Sequence, residues 1–230
     1  MSTERYRMMA PNVVTGANIA AGFAAMVMAG QGRFVPAVYM LFLSLIFDTL
    51  DGTIARRLGA TSELGQELDS FSDAISFGAA PAYLSYQALF WQLGITGYLI
   101  SLTFLLAAVY RLARFVLTSD AHDKDRRTSG VPAPIAASYI MALVLMRDEI
   151  SLLAAVLVAL FFSGMMVSHL KLPNLKGKNI VTMMLLVGVL NYSAVVFKPC
   201  WLTVCWWNVW NLLIFLTAYD QDRRLELKSS

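Results

Sequence analysis

Apolar runs long enough to cross a lipid bilayer recur along the chain, with only short polar segments between them. A spanning helix needs about 17 to 25 mostly apolar residues, so this pattern predicts an all-α, polytopic transmembrane helical bundle. The composition agrees, because 58% of the 230 residues are hydrophobic and 14% are charged, with a mean hydropathy of +0.61. Soluble domains carry roughly 25% charged residues. The sequence therefore excludes a water-soluble enzyme and predicts a single membrane domain over residues 1–230.

The apolar runs predict eight membrane spans. Only a short Lys198-Pro199 junction separates the last two, so a six-span body with a C-terminal hairpin lying partly in the membrane interface is an alternative. The predicted spans are 12–30, 35–56, 68–90, 95–117, 131–147, 150–169, 180–197 and 200–218.

Lysine and arginine are divided unequally between the two ends of the predicted spans. Fifteen lie on the side of both termini and three lie on the other side. Positively charged loops remain in the cytoplasm, so the split predicts an integral protein of the cytoplasmic (inner) membrane with both termini inside. The fifteen are Arg5, Arg7, Arg56, Arg57, Arg111, Arg114, Lys124, Arg126, Arg127, Lys171, Lys176, Lys178, Arg223, Arg224 and Lys228; the three are Arg33, Arg147 and Lys198.

The first predicted span combines small residues with one polar amide. Ala17, Ala21 and Ala25 recur at every fourth position, a spacing that favours close packing between helices in lipid. Asn18 lies beside them at membrane depth, where a polar group needs a partner or a ligand.

Four aspartates lie where the second predicted span ends and the third begins. Asp48 and Asp51 are three residues apart, and Asp69 and Asp73 are four residues apart, so each pair projects from one face of a helix. Two antiparallel helices with a short connection bring the pairs together. One such acid at the centre of a spanning helix costs about 2.5–3.5 kcal/mol, so the cluster needs a compensating partner.

The compensating partner is not in the same segment. Residues 48–73 contain six acidic and two basic residues, a net charge of −4. Carboxylate oxygens without His or Cys favour magnesium, manganese or calcium. Four carboxylates on two facing helices suit two divalent ions about 3.5–4 Å apart, an arrangement used in displacement at phosphorus. The sequence therefore predicts a divalent-metal site for phosphoryl chemistry.

Two glycines and an arginine accompany the acids. Gly52 follows Asp51, and Gly65 lies one turn before Asp69, so a ligand could approach the backbone beside the metals. Arg56, one turn after Gly52, is placed to meet phosphate oxygens in two-point contact. Two alternatives stay open: Gly65 as a loop and helix-start residue, and Arg56 as an interfacial anchor.

The segment from Asp48 to Asp73 reads D-x-x-D-G-x-x-A-R-x(8)-G-x-x-x-D-x-x-x-D. It resembles, at every signature position, the signature of the CDP-alcohol phosphotransferase family. The resemblance implies a core over 12–180, with C-terminal helices and a tail at 181–230. It implies metal ligation by Asp48, Asp51, Asp69 and Asp73, with Asp73 as general base, and nucleotide or pyrophosphate binding by Gly52, Ala55, Arg56 and Gly65.

Further blocks resemble the branch of that family that uses serine as acceptor. This resemblance implies transfer of a phosphatidyl group from CDP-diacylglycerol to L-serine with release of CMP. It also implies magnesium or manganese as cofactor, two ions per site, and a homodimer among membrane lipids with its active site on the cytoplasmic side. The blocks are 69–81, which ends in S-F-G-A-A-P, 111–115 (R-L-A-R-F), 129–137 (S-G-V-P-A-P-I-A-A) and 165–168 (M-M-V-S).

Arg111 and Arg114 are the candidates for holding the acceptor. They lie three residues apart near the cytoplasmic end of the fourth predicted span, where they could bind the carboxylate of serine. The alternative is a pair of positively charged membrane anchors.

Three other functions remain open from the sequence. The acceptor could be glycerol 3-phosphate or an inositol phosphate instead of serine. Outside the family, intramembrane acids could line a path for divalent-cation transport. That alternative explains the acids but not the fixed spacing of Gly52, Arg56 and Gly65. No nucleic-acid partner is expected.

Overall fold

The computed structural model describes residues 3–60, 62–119 and 128–172, together with positions 200, 202, 203, 205, 206, 208–210, 213, 216 and 217. In the three continuous ranges the structure is helical apart from turns and one pair of two-residue strands. The α-helices are α1 (Thr3–Gly30), α2 (Phe34–Leu58), α3 (Glu63–Asp73), α4 (Ala80–Ser85), α5 (Ile95–Ser119), α6 (Ala133–Leu145) and α7 (Leu152–Val167). Strand β1 (Thr128–Ser129) pairs antiparallel with β2 (Lys171–Leu172).

Between α3 and α5 the chain stays helical without a break. Two π-helical stretches, Ala74–Ala79 and Tyr86–Phe90, flank α4, and a 3₁₀ turn, Trp91–Leu93, ends the segment. Residues 63–93 therefore form one helical segment, where the sequence predicted a span at 68–90. Short π-helical insertions are frequently found at functional sites, and the first one begins directly after Asp73.

The helical segments alternate in direction. Short connections join α1 to α2, α2 to α3 and residue 93 to α5, and Gly59 and Gly94 adopt positive φ in the second and third of these connections. The Arg147 guanidinium lies 5.0 Å from the centre of the Phe34 ring, which places the end of α6 beside the start of α2. Helix α1 packs along α2, and α5 packs along α7.

Three of the described helices are long and apolar enough to cross a membrane: Met9–Gly30, Phe34–Leu58 and Ile95–Leu117. The all-helical membrane architecture is confirmed. The number of eight spans and the cytoplasmic termini remain predictions. The predicted span 180–197 lies outside the described residues, and 200–218 is described only in part.

Helices α6 and α7 are shorter than the spans predicted at 131–147 and 150–169. Pro132 precedes α6, and Ser151 caps α7 by accepting the N–H of Ala154. Helix α6 lies at the centre of the bundle, where Ala136 and Ile140 have no exposed surface. Its neighbours surround it, so lipid contact does not set its length.

The outer faces of the bundle are apolar. Leu99 and Leu106 on α5 and Leu157 and Phe161 on α7 are each more than half exposed. Side chains of this kind are stable in contact with lipid and unfavourable in water. The structure therefore has apolar residues both inside and outside, as expected for a bundle embedded in a bilayer.

Candidate active site

The turn between α2 and α3 brings the two aspartate pairs face to face. Helix α2 ends at Gly59, whose φ of 59° lets the chain reverse, and Ser62 caps α3 by accepting the N–H of Gly65 at 3.0 Å. On α3 the apolar side chains Leu64 and Phe71 are 68% and 65% exposed. The opposite face of α3 packs against α1, and its acids point toward those of α2.

Three carboxylates converge closely. Side-chain oxygens of Asp48, Asp51 and Asp69 all lie within 4.8 Å of one another. Asp73 lies beside the group, because its carboxyl group interacts electrostatically with those of Asp48 and Asp69. One oxygen of Asp73, Oδ1, is buried and has no hydrogen-bond partner among the described residues. The structure thus assembles all four aspartates of the sequence motif into one cluster.

The donor set fits a hard divalent cation. Every candidate ligand is a carboxylate oxygen, which favours magnesium or manganese over zinc. The buried, unpartnered Oδ1 of Asp73 offers a further acceptor beside the three clustered carboxylates. A group of acids this close repels itself, and a bound cation removes that repulsion. Asp48, Asp51 and Asp69 can therefore hold a metal ion, and Asp73 lies at the edge of this group of acids.

A cavity of about 150 Å³ opens beside the acids between α1, α2 and α3. All four residues predicted to bind the nucleotide or pyrophosphate lie on its wall. Its lining consists of Pro11, Asn12, Thr15, Asp51, Gly52, Ala55, Arg56, Ala60, Ser62, Gly65, Gln66 and Asp69.

The two glycines leave room in this cavity. A Cβ atom at Gly65 would lie 3.1 Å from Ser62 Oγ and 3.4 Å from Asn12 Oδ1. A Cβ atom at Gly52 would lie 3.4 Å from Nη1 of Arg56, whose guanidinium folds back over the helix at that point. Gly65 is thus both a helix-start residue and part of the cavity wall. Arg57 is exposed and does not line the cavity.

Helix α1 supplies support that the sequence analysis missed. The hydroxyl of Thr15 donates to Asp51 Oδ2 at 3.0 Å, and Thr15 is only 3% exposed. Asn12, one turn earlier, lies in the cavity wall. Asn12, Thr15 and Asn18 recur at every third position of an otherwise apolar helix, and this polar stripe was the available signal.

Asn18 finds partners at membrane depth, as its position predicted. It is fully buried, and its Oδ1 accepts the hydroxyl of Ser44 on α2. Its backbone oxygen accepts the hydroxyl of Ser76 at 3.2 Å, in the π-helical stretch that follows Asp73. Asn18 therefore ties α1 to both helices that carry the acids, one turn below the cluster.

The two arginines proposed for the acceptor have different surroundings. Arg111 is buried, with 7% of its surface exposed, and its guanidinium is attracted electrostatically to Asp73 and Asp48. Arg114 instead contacts the end of α7, where it donates to the carbonyl oxygens of Met166, Val167 and Ser168 at 3.3, 3.0 and 3.0 Å. The structure brings Arg111 to the acids and Arg114 to a neighbouring helix.

Comparison with known proteins agrees with this site. Residues 8–168 match the CDP-alcohol phosphatidyltransferase family. The chain belongs to this family and is an integral membrane protein.

Three curated relatives carry related names. The chain is 34% identical over 172 residues to the CDP-diacylglycerol–serine O-phosphatidyltransferase of Helicobacter pylori, which covers 72% of each chain. It is 31% identical over 166 residues to the enzyme of the same name from Bacillus subtilis, covering 72% of this chain and 90% of the relative. It is 32% identical over 172 residues to the archaetidylserine synthase of Methanothermobacter thermautotrophicus, covering 73% and 70%.

Proposed function

We propose that this chain transfers the phosphatidyl group of CDP-diacylglycerol to the hydroxyl of L-serine and releases CMP. The observation that carries the proposal is the convergence of Asp48, Asp51, Asp69 and Asp73 beside a cavity lined by Gly52, Ala55, Arg56 and Gly65. The names of the relatives supply serine as the acceptor.

The cavity beside the acids is the proposed binding site for the donor, CDP-diacylglycerol. Arg56 offers a planar guanidinium to the pyrophosphate, and its side chain already lies over Gly52. Gly52 and Gly65 let the nucleotide approach the helix backbones. Asp48, Asp51 and Asp69 would hold the divalent metal, magnesium or manganese and two ions per site in our proposal, and the metal would supply positive charge for the phosphates and for the departing oxygen.

Asp73 is the proposed general base. Its buried Oδ1 has no hydrogen-bond partner among the described residues, so it is available to take the proton of the serine hydroxyl. The serine oxygen then forms a bond to the phosphorus that carries the lipid. The bond from that phosphorus to the oxygen of CMP breaks, and CMP leaves with the electron pair. The proton on Asp73 passes to CMP or to solvent.

Arg111 is the proposed partner of the serine carboxylate. Its guanidinium lies near Asp73, and its Nε is buried with no hydrogen-bond partner in the described part of the chain. A carboxylate bound there places the hydroxyl of the same small molecule near the base. The predicted role of Arg114 in binding the acceptor remains a prediction, because its described hydrogen bonds go to α7.

The proposed setting is the cytoplasmic side of the cytoplasmic membrane. The distribution of Lys and Arg supports cytoplasmic termini, and the acids lie at the end of the bundle where α2 ends. We propose a single membrane domain with a core at 12–180 and further helices and a tail at 181–230. The family resemblance supports a homodimer.

Divalent-cation transport explains less of the structure. A transport path requires ligands at successive depths through the bundle. In the described helices the acids form one cluster near one end, and Asp148 and Glu149 lie exposed at the opposite end. Transport also gives no role to the cavity beside Arg56.

The test is CMP release by the purified full-length protein in lipid nanodiscs containing CDP-diacylglycerol and Mn²⁺. Parallel reactions contain serine, glycerol 3-phosphate, an inositol phosphate or no acceptor. We expect CMP and phosphatidylserine to appear together only with serine. If CMP is released only with a different acceptor, the proposed phosphatidyl transfer still holds but the assignment of serine as the acceptor is wrong. A sharp thermal unfolding transition shows that the purified protein is folded. If such protein releases no CMP with any acceptor, the proposed phosphatidyl transfer is wrong.

The contact between Thr15 and Asp51 gives a second, smaller prediction. Thr15→Val keeps the shape of the side chain and removes the hydroxyl that orients Asp51. We expect the Mn²⁺ concentration for half-maximal activity to rise about tenfold, since outer partners of metal ligands typically change affinity 10- to 100-fold. Thr103→Val is the matched control, because the Thr103 hydroxyl donates within α5 to Leu99 and is remote from the acids in sequence and along α5. If both variants need the same Mn²⁺ concentration for half-maximal activity, Thr15 does not support the metal site.

A further inference from the structure

Arg114 connects two segments that are distant in sequence. It extends from α5 and donates to three successive carbonyl oxygens at the end of α7, residues 166–168. The last carbonyls of a helix have no partner within the helix, and leaving them unpaired in a membrane is costly. The end of a helix also carries partial negative charge, which a guanidinium stabilises. Arg114 therefore holds α5 and α7 together through the α7 terminus.

Gly130 completes this contact from the segment before α6. Its N–H donates to the carbonyl of Leu170 at 3.0 Å, and the next residue, Val131, donates to Met165 at 3.1 Å. Its φ of 76° favours glycine. A Cβ atom at Gly130 would lie 2.3 Å from the oxygen of Met166 and 2.8 Å from Nη2 of Arg114. The turn fits only because residue 130 has no side chain.

We call the contact of Arg114, Gly130 and the α7 end (residues 165–170) the α5–α7 joint. Arg111 precedes Arg114 by three residues on the same helix, so the two side chains project from adjacent stripes of α5. One guanidinium is fixed by the joint, while the other is buried and attracted electrostatically to Asp73 and Asp48, where α5 packs against residues 74–79. Because an α-helix is rigid over one turn, the joint sets both the height and the rotation of Arg111.

We propose that Arg114 is a positioning residue: the α5–α7 joint holds Arg111 in place to receive the carboxylate of the acceptor. This inference rests on the proposed function for the identity of the acceptor. It assigns to Arg114 a role through Arg111 and not a contact with serine. It also gives a common role to three of the sequence blocks, 111–115, 129–137 and 165–168, because all three contribute to the joint.

Two variants disturb the joint in different ways. Arg114→Lys keeps the positive charge and loses the planar group that reaches three carbonyls at once. Gly130→Ala leaves every charged residue in place and introduces a methyl group 2.3 Å from the Met166 oxygen. The matched control is Gly164→Ala on α7, where a Cβ atom meets nothing within 4 Å.

Kinetics with serine and CDP-diacylglycerol test the functional part of the inference. We expect both joint variants to raise the KM for serine about tenfold, since small displacements of a positioning group are costly. The KM for CDP-diacylglycerol should stay within about twofold of the original value, and Gly164→Ala should match the unaltered protein. A raised serine KM in Arg114→Lys but not in Gly130→Ala would mean that Arg114 contacts the acceptor directly, which overturns the proposal. An equal loss of kcat with both KM values unchanged would also overturn it.

Hydrogen exchange tests the joint without any activity. The amides of Gly130 and Val131 are hydrogen-bonded across the joint, so they should exchange slowly in the unaltered protein. We expect Arg114→Lys to accelerate exchange in peptides covering 128–133 and 165–170, with α2 unchanged. Unchanged exchange in those peptides would reject the joint itself. If the unaltered protein shows no serine-dependent release of CMP, the proposed function fails, while the exchange result still decides whether the joint exists.

Discussion

Asp73→Asn is expected to lower kcat by about 10²- to 10⁴-fold, the range associated with loss of a general base. The substitution preserves the size of the side chain and its capacity to form hydrogen bonds. It removes the group that takes the proton from the serine hydroxyl. The KM for CDP-diacylglycerol should change little, because Asp73 is absent from the lining of the cavity.

Steady-state CMP release over a range of Mn²⁺ concentrations measures this effect. Glu67→Gln is the matched control, since it makes the same chemical change on the exposed side of α3. We expect the control to retain full activity. If kcat of Asp73→Asn returns to the original value at high Mn²⁺, Asp73 acts only as a metal ligand and the assignment of the base is wrong.

The acid cluster could be predicted because its geometry is local. Spacings of three and four residues fix the face of a helix, and the connection between α2 and α3 is short, so the two aspartate pairs are expected to lie close together. The same reasoning placed Gly52, Arg56 and Gly65 next to the acids, and the structure has all three in the cavity wall. Because the whole motif lies within 26 residues, the relative positions of its side chains could be inferred from the spacing alone.

Contacts between helices that are distant in sequence could not be predicted in this way. The hydrogen bond from Thr15 to Asp51 depends on how α1 packs against α2, and no spacing rule sets that register. Arg111 and Arg114 form an i,i+3 pair like Asp48 and Asp51, yet their contacts diverge because α7 ends beside Arg114. Helix α6 begins two residues after and ends two residues before the predicted span 131–147, and Pro132 precedes its first turn.

The supporting contacts of the site are concentrated on α1. Thr15 orients one acid directly, and Asn18 holds the two acid-bearing helices together one turn deeper. Gly22 is part of the same contact, because a Cβ atom there would lie 3.1 Å from the Cα of Ser76, closer than an ordinary van der Waals contact. Gly22 lies outside the predicted pattern of Ala17, Ala21 and Ala25, and its close approach to Ser76 adds to the support that α1 gives the site.

Removal of the metal is the second prediction with a large expected effect. EDTA should abolish CMP release, because a pyrophosphate cannot approach three carboxylates within 4.8 Å of one another unless cations separate the like charges. Asp69→Asn should reduce kcat/KM at a fixed, low Mn²⁺ concentration by about 100-fold or more, as expected for loss of a ligand with a net charge. Full activity in EDTA would exclude a metal-dependent reaction.

Thermal unfolding measures metal binding independently of catalysis. A ligand that binds only the folded state adds about 2.7 kcal/mol of stability at one hundred times its Kd, so Mn²⁺ should raise the Tm of the unaltered protein. In Asp69→Asn this rise should be largely lost, while the metal-free variant should be no less stable than the metal-free parent, because one of the mutually repelling carboxylates is gone. Glu63→Gln, an exposed acid in the first turn of α3, is the control and should keep the full rise. If Mn²⁺ raises the Tm of Asp69→Asn as much as that of Glu63→Gln, Mn²⁺ binds elsewhere and the aspartate cluster is not the metal site.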